Sequence, residues 1–464
     1  MMHKYIVAGL CLWAAAFAVN AQDTTPATHE YRLANGLKLI VREDHRAPVV
    51  VSQVWYKVGS SYENNGATGL SHVLEHMMFK GTRKHGPNEF SRIIAQNGGR
   101  ENAFTGRDYT AYFQQLEKGR LAVSFELEAD RMRNLLLKQE EFAKEVRVVM
   151  EERRLRTDDD PEALTSEQFT AVAFHSNPYR IPVIGWMGDL ENLRVADLQA
   201  WYKTWYAPNN ATLVVVGDVQ PDAVFKLAKK YFGALKPTPR PTLKPHSEPE
   251  QIGMRRITVK APAELPYLLM GYPAPVLKSV SASDAWEPYA LEMLSALLSG
   301  GDSARLAKHL VRDQKIAANA SAGYNLTARL PDMFMIDGTP AEGHSIGELE
   351  QALRGEIKRL QDEPVSEAEL ARIKTQVVAN EIYQRDSTFA QAMQIGTLET
   401  VGLDWRLMDS YVEKITAVTA EQVQQVARKY LIDDRLTVAI LDPLPIDPNK
   451  PRAAAGATGG HNVR

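Results

Sequence analysis

The sequence predicts an α+β chain made of two α/β units that repeat one another in outline. Two observations carry this. A helix at Leu198–Tyr206 followed by the buried strand Thr212–Asp218 recurs as a helix at Val418–Tyr430 followed by the strand Leu436–Leu441. Both pairs have a Tyr near the helix end and a Thr in the strand. Between them, Lys236–Glu250 holds Pro237, Pro239, Pro241, Pro245 and Pro249, the composition of a stiff, extended linker. The expected division is a first unit at 22–235, a linker at 236–252 and a second unit at 253–447, with a tail at 448–464 rich in Ala and Gly.

The bulk numbers fit this. With 464 residues, 44% of them hydrophobic and 24% charged, the chain has the composition of a soluble globular protein with room for more than one domain. A net charge of −3 and the lack of a long basic run argue against a nucleic-acid partner. At the N-terminus, the basic head Met1–Lys4 precedes an apolar run from Tyr5 to Val19, and Val19-Asn20-Ala21 supplies small residues for cleavage. This reads as a secretory signal peptide occupying residues 1–21. The apolar run is shorter than the ~20 residues of a spanning helix, and no later segment is apolar for longer. A periplasmic or secreted protein without stable membrane insertion is expected. Cys11, the one cysteine, falls inside the signal peptide, and Leu10 before it is too large for a lipoprotein processing site. The mature chain would lack thiols, which excludes a cysteine nucleophile, a disulfide and cysteine metal ligands. Any metal would be held by His and carboxylates.

In chain order, Tyr31–Leu33 and Leu37–Val41 flank Asn35-Gly36, a hairpin signal, and Val49–Tyr56 is a further strand. A loop punctuated by Gly59, Gly66 and Gly69 leads to Leu70-Ser71-His72-Val73-Leu74-Glu75-His76-Met77. Leu70, Val73, Leu74 and Met77 recur at i, i+3, i+4 and i+7, the stripe of an amphipathic helix. His72, Glu75 and His76 then project together beside that stripe. Two imidazoles one turn apart can hold one zinc ion, and a carboxylate between them can reach a water on the same metal. The spacing is H-x-x-E-H.

Asn97-Gly98-Gly99 turns the chain into a polar strand, Arg100–Thr105, and strand character resumes at Tyr109–Phe113. Helices are expected at Leu121–Leu137 and Phe142–Arg156. In the second of these, Val148, Val149 and Leu155 mark an apolar stripe that also contains Glu145 and Glu152. A carboxylate in such a stripe needs a cation, a donor or a metal. The helix alone does not decide which of the two would be a ligand. Pro221–Phe232 is a helix. In the second unit, Tyr267–Tyr272 is a strand and Trp286–Leu298 a helix placed as the His-bearing helix is in the first. That unit has no H-x-x-E-H, so the first unit is expected to be the catalytic one.

Together, His72–His76 with Phe79-Lys80-Gly81-Thr82, Asn102-Ala103-Phe104-Thr105 and Glu145–Glu152 resemble the pitrilysin-type zinc metallopeptidases. The resemblance covers nearly the whole mature chain and is to the short, mitochondrial-processing-type branch. It implies a clamshell-type peptidase fold in which two chains enclose a chamber. It also implies one zinc ion held by His72, His76 and Glu152, with Glu75 as general base and Glu145 orienting a ligand histidine. Asn102 and Ala103 match the edge strand that receives the substrate backbone. The family's substrate-binding Arg and Tyr fall in the second unit. Arg312 matches the Arg, but Ala318 or Asn319 stands where Tyr is expected, and Tyr324 is off register. The resemblance therefore implies a zinc-bearing subunit of a heterodimer whose related partner carries the Arg/Tyr pair. A homodimer that does without the Tyr, or uses Tyr324, is the other arrangement. The expected activity is endopeptidase cleavage of peptides or unfolded segments. The rival reading is a non-catalytic assembly or scaffold subunit of the same fold.

Overall fold

A computed structural model of the chain describes residues 27–244 and 247–447; the expected signal peptide with Cys11, Pro245 of the linker and the tail at 448–464 lie outside the described residues. β1 (Thr28–Arg32) and β2 (Lys38–Glu43) form the hairpin read from Asn35-Gly36, where Gly36 takes a φ of +91°. β3 (Val49–Tyr56) leads to α1 (Leu70–Met77), α2 (Glu89–Gln96), β4 (Arg100–Thr105) and β5 (Thr110–Glu117). Five helices follow: α3 (Leu121–Asn134), α4 (Gln139–Arg153), α5 (Pro161–Ala173), α6 (Met187–Asn192) and α7 (Val195–Trp205). β6 (Ala211–Gly217) and α8 (Pro221–Phe232) complete this stretch. The strands form one sheet in the order β1-β2-β6-β3-β5-β4, in which the β2–β6 pair is parallel and β4 is an open edge.

Beyond the linker come β7 (Arg255–Pro262), β8 (Tyr267–Ala274), α9 (Glu287–Ser299), β9 (Ala317–Gly323) and β10 (Asp332–Pro340). Then follow α10 (Ile346–Asp362), α11 (Glu367–Arg385), α12 (Thr388–Val401), α13 (Leu407–Ala417), α14 (Ala420–Tyr430) and β11 (Thr437–Leu444). Their sheet runs β7-β11-β8-β10-β9, with β7–β11 parallel and β9 an open edge. The layouts correspond: α1 packs on β4 and α4, as α9 packs on β9 and α11.

Each sheet buries one face under helices of its own stretch and the other under a helix from the opposite stretch. α12 lies across β3 and β6, where Ala392, Ile395 and Leu398 meet Ile40, Val51, Trp55 and Val214. α5 lies across β7, β8 and β11, where Phe169 and Ala173 meet Leu269 and Ala439. α12 approaches its sheet so closely that a Cβ at Gly396 would stand 2.0 Å from the Trp55 ring. Polar groups seal the same contact. The Lys38 ammonium donates to Glu399 at 2.7 Å, and the buried Arg42 donates to Gln391 at 2.7 Å. Sequence periodicity gives no warning of this exchange, because a helix patterned for burial carries no record of which sheet buries it.

One expectation is corrected in detail. The helix expected at Phe142–Arg156 starts at Gln139 and passes into a π-helical turn at Arg154–Asp158. Val149 is buried, but Val148 and Leu155 are 49% and 48% exposed. The inward face is Phe142, Glu145, Val146, Val149 and Arg153. It is set by packing against α1, whose histidines attract the carboxylates inward, so two apolar residues one position off that face are left in solvent.

Candidate metal centre and active site

α1 begins at Gly69, whose φ of +84° and tight surroundings admit no side chain: a Cβ would meet Leu190 at 2.8 Å and the Ile184 carbonyl at 2.9 Å. The backbone N–H groups of Gly69 and Ser71 donate to the buried Glu63 carboxyl at 2.7 and 2.6 Å, which satisfies two donors that the start of the helix leaves open. Burial pushes Glu63 up to about 7, against the pull of these donors. Val73, Leu74 and Met77 are fully buried and fix the rotation of the helix. His72, Glu75 and His76 are thereby presented between α4 and β4.

The His72 and His76 rings lie 4.9 Å apart at 77°. Glu152 reaches them from α4, with its Oε2 3.4 Å from His76 Nε2 and 3.8 Å from His72 Nε2. One donor atom from each of the three residues lies within 4.8 Å of the others. Glu145, almost two turns back along α4, takes His76 Nδ1 at 3.2 Å and the Lys80 ammonium at 2.8 Å. The second Glu152 oxygen, Oε1, pairs with Arg156 at 2.6 Å. Burial alone would lower the His76 pKa, but the hydrogen bond with Glu145 and the Glu152 carboxylate beside the ring prevail and raise it to about 9. For Glu152, burial is outweighed by His76, His72 and Arg156, which bring it down to about 2. Burial pushes Glu75 up to about 7, against a hydrogen bond from Thr105.

These residues fit a divalent metal. His76 Nε2 is buried and makes no hydrogen bond, although it faces Glu152 Oε2. Two imidazoles and one carboxylate, without sulfur, are the donor set of open, catalytic zinc sites. Glu145 on His76 Nδ1 is the kind of outer partner that orients a ligand imidazole. Glu75 is bound at Oε2 by Thr105 of β4, and it stands beside the donor set rather than in it.

The remaining candidates fall as follows. Asn102 and Ala103 are on β4. Because Gly106 N–H donates to the Tyr109 carbonyl, strand alternation turns the backbone groups of Ala103 and Thr105 to the open edge. The Asn102 side-chain oxygen accepts from Ala103 N–H at 2.9 Å, where the carbonyl of an added strand would dock. Arg312 is exposed on a π-helical segment, Leu306–Asp313, and Ala318 and Asn319 are exposed on β9. Tyr324 stacks on Phe334 and donates its hydroxyl to the Pro275 carbonyl. The structure thus places Arg312 on a helical segment packed against β9 and Tyr324 just past the end of β9, outside the three converging donors. Lys80, Thr105 and Arg156 were given no role by sequence reasoning. Arg156 follows its partner Glu152 by four residues, a helical spacing legible beforehand, whereas Lys80 lies past the end of α1 and pairs with Glu145 of α4. The partner of Thr105 is thirty residues away in the chain, and no local pattern discloses it.

Comparison with known proteins agrees with this architecture. Residues 38–185 match the family model described as insulinase (peptidase family M16), and residues 192–377 match the one described as the peptidase M16 inactive domain. The chain is 32% identical over 433 residues to the zinc protease PqqE of Helicobacter pylori, covering 92% of this chain and 95% of that protein. The crystal structure of a protease from Helicobacter pylori superposes with a TM-score of 0.85 at 31% identity, over 90% of this chain and all of that one. The periplasmic protease PqqL of Escherichia coli shares the fold, with a TM-score of 0.76 at 18% identity, over 94% of this chain but 52% of that one.

Proposed function

The chain belongs to the M16, or pitrilysin, peptidase family, and from that membership we propose that it is a zinc-dependent endopeptidase acting on peptides or unfolded segments. The observation that carries this reading is the convergence of His72, His76 and Glu152 with Glu75 turned toward an open strand edge. Zinc held by those three residues would polarise the scissile carbonyl and acidify the attacking water. Glu145 keeps His76 in the tautomer that presents Nε2. A peptide pairs with β4 as an added strand once the Asn102 side chain releases the Ala103 N–H. Glu75 takes a proton from the water as its oxygen bonds to the carbonyl carbon, then delivers that proton to the leaving nitrogen as the C–N bond breaks.

The same proposal includes the division of the chain at 236–252, supported by the assembly of each sheet from strands on one side of that segment. It places the protein in the periplasm or outside the cell, on the leader read at residues 1–21; among the described residues no helix is long and apolar enough to cross a membrane. It includes a related partner subunit. PqqL spans about twice the length of this fold in one chain, and a two-chain assembly would supply the same amount of structure. The missing Tyr near Ala318 favours a heterodimer over a homodimer. The alternative, a scaffold subunit, draws on the match of residues 192–377 to an inactive domain.

The test is cleavage of a quenched, unstructured peptide, with metal content assayed, by the chain alone and mixed with an Arg/Tyr-bearing relative. Activity that disappears in Glu75→Gln while zinc remains bound is the expected result. Absence of zinc and of cleavage in both preparations would leave the scaffold reading in its place.

A further inference from the structure

Resting on the peptidase reading, we propose that Thr105 is the positioning residue for Glu75 and that it ties the base to the strand that receives the substrate. Thr105 is the last residue of β4, and its hydroxyl donates to Glu75 Oε2 at 2.5 Å. Alternation along the strand explains why it can. Phe104 points to the opposite face, against Trp55 and Tyr109, so Thr105 faces α1. Glu75 itself is 3% exposed, and Thr105 is the side chain seen to hold its carboxylate.

The strand end that carries Thr105 is held from two sides. Ser60 N–H donates to the Gly106 carbonyl at 3.2 Å and Ser61 N–H to the Arg107 carbonyl at 2.8 Å. Gly59 makes this approach feasible, since a Cβ there would lie 2.2 Å from the Gly106 oxygen. From beyond the linker, Arg329 donates to Asp108 at 2.8 Å and Arg107 reaches Asp332 at 3.3 Å. The hydroxyl therefore sits on a fixed backbone. That same backbone turns the N–H and C=O of Thr105 to the open edge. A peptide paired with β4 and the carboxylate of Glu75 take their positions from one stretch of chain, which sets the distance between scissile carbonyl and base. With Oε2 engaged, Oε1 is the oxygen that carries the proton.

Thr105→Val keeps the shape and removes the donor; Thr105→Ser keeps the donor. In a preparation in which the wild-type chain cleaves the quenched peptide, Thr105→Val is expected to lower kcat roughly 10- to 100-fold while KM stays within about 2-fold. Zinc content and the thermal midpoint should match wild type, and Thr105→Ser should recover most of the rate. If the Val variant does not fold, Thr105→Ala against Thr105→Ser gives the same comparison. A wild-type kcat in Thr105→Val overturns the positioning role and leaves the peptidase reading standing. Loss of zinc or of the melting transition without rescue by Ser also overturns it, as the mark of a structural residue. A wild-type chain that cleaves nothing, alone or with its relative, overturns both.

Discussion

Arg156 stands on the π-helical turn that ends α4 and holds the one Glu152 oxygen that does not face the histidines. Its side chain is half exposed, so its pairing contributes little to stability. Its effect falls on the geometry of the ligand instead: with Oε1 engaged, Glu152 presents a single oxygen to the donor set. Arg156→Met is expected to weaken zinc binding roughly 10- to 100-fold in competition with a chelator, the usual effect of removing an outer partner of a ligand. Arg156→Lys should recover part of it, and unchanged affinity would remove Arg156 from the site. Glu63 makes a different prediction. Burial at the start of α1 pushes its carboxyl up to about 7 in the folded chain, against 4.5 for the free side chain. The folded chain thus binds that proton more tightly than the unfolded one. The stability this contributes is complete below pH 4.5 and is lost as pH rises toward about 7. Relative to Glu63→Gln, the metal-free wild-type chain should lose thermal midpoint across that window; a difference that is constant with pH would contradict the assignment.

α1, α4 and β4 were legible before the structure because each leaves a local record. The i, i+3, i+4, i+7 stripe of α1 set its buried face and so the common direction of His72, Glu75 and His76. Glu145 and Glu152 of α4 lie beside the histidines, but they were read on a stripe that included two exposed residues, because apolar character identified the wrong neighbours for them. Phe142, Val146 and Val149 enter the core while Glu145 and Arg153 turn inward with them to charged partners, so apolar burial and polar pairing together orient that helix. β4 read as a strand, whereas its contact with Glu75 depends on tertiary placement. α12 was the least legible. Its hydrophobic residues are spread round the helix, which says that it is buried but not where. The contact it makes is tight, and Gly396→Ala is expected to destabilise the chain by about 1–3 kcal/mol through overpacking against Trp55. A smaller thermal shift than Ala produces at Gly355, where a Cβ meets nothing within 4 Å, would show that the sheet and helix can separate at little cost.

At the level of the whole molecule, the repeat in the sequence foretold two sheets of matching layout. What it did not foretell is that α5 and α12 are traded across the linker. Cutting the chain at 236–252 is therefore expected to yield two fragments that each expose a bare sheet face. Fragment 27–235 should aggregate or bind a hydrophobic dye when made alone, and should regain a cooperative melting transition when made together with 247–447. Independent, monomeric folding of either fragment would contradict this. The trade also has a consequence in time. During synthesis the strands of the first sheet, the last of which ends at Gly217, are all made long before Thr388–Val401 exists to cover them. For that interval the nascent chain presents an apolar β surface, the kind of exposure that chaperones recognise and that favours misassembly. An early pause or a truncated product would leave an adhesive intermediate, and completion of the chain to residue 401 is the event that retires it.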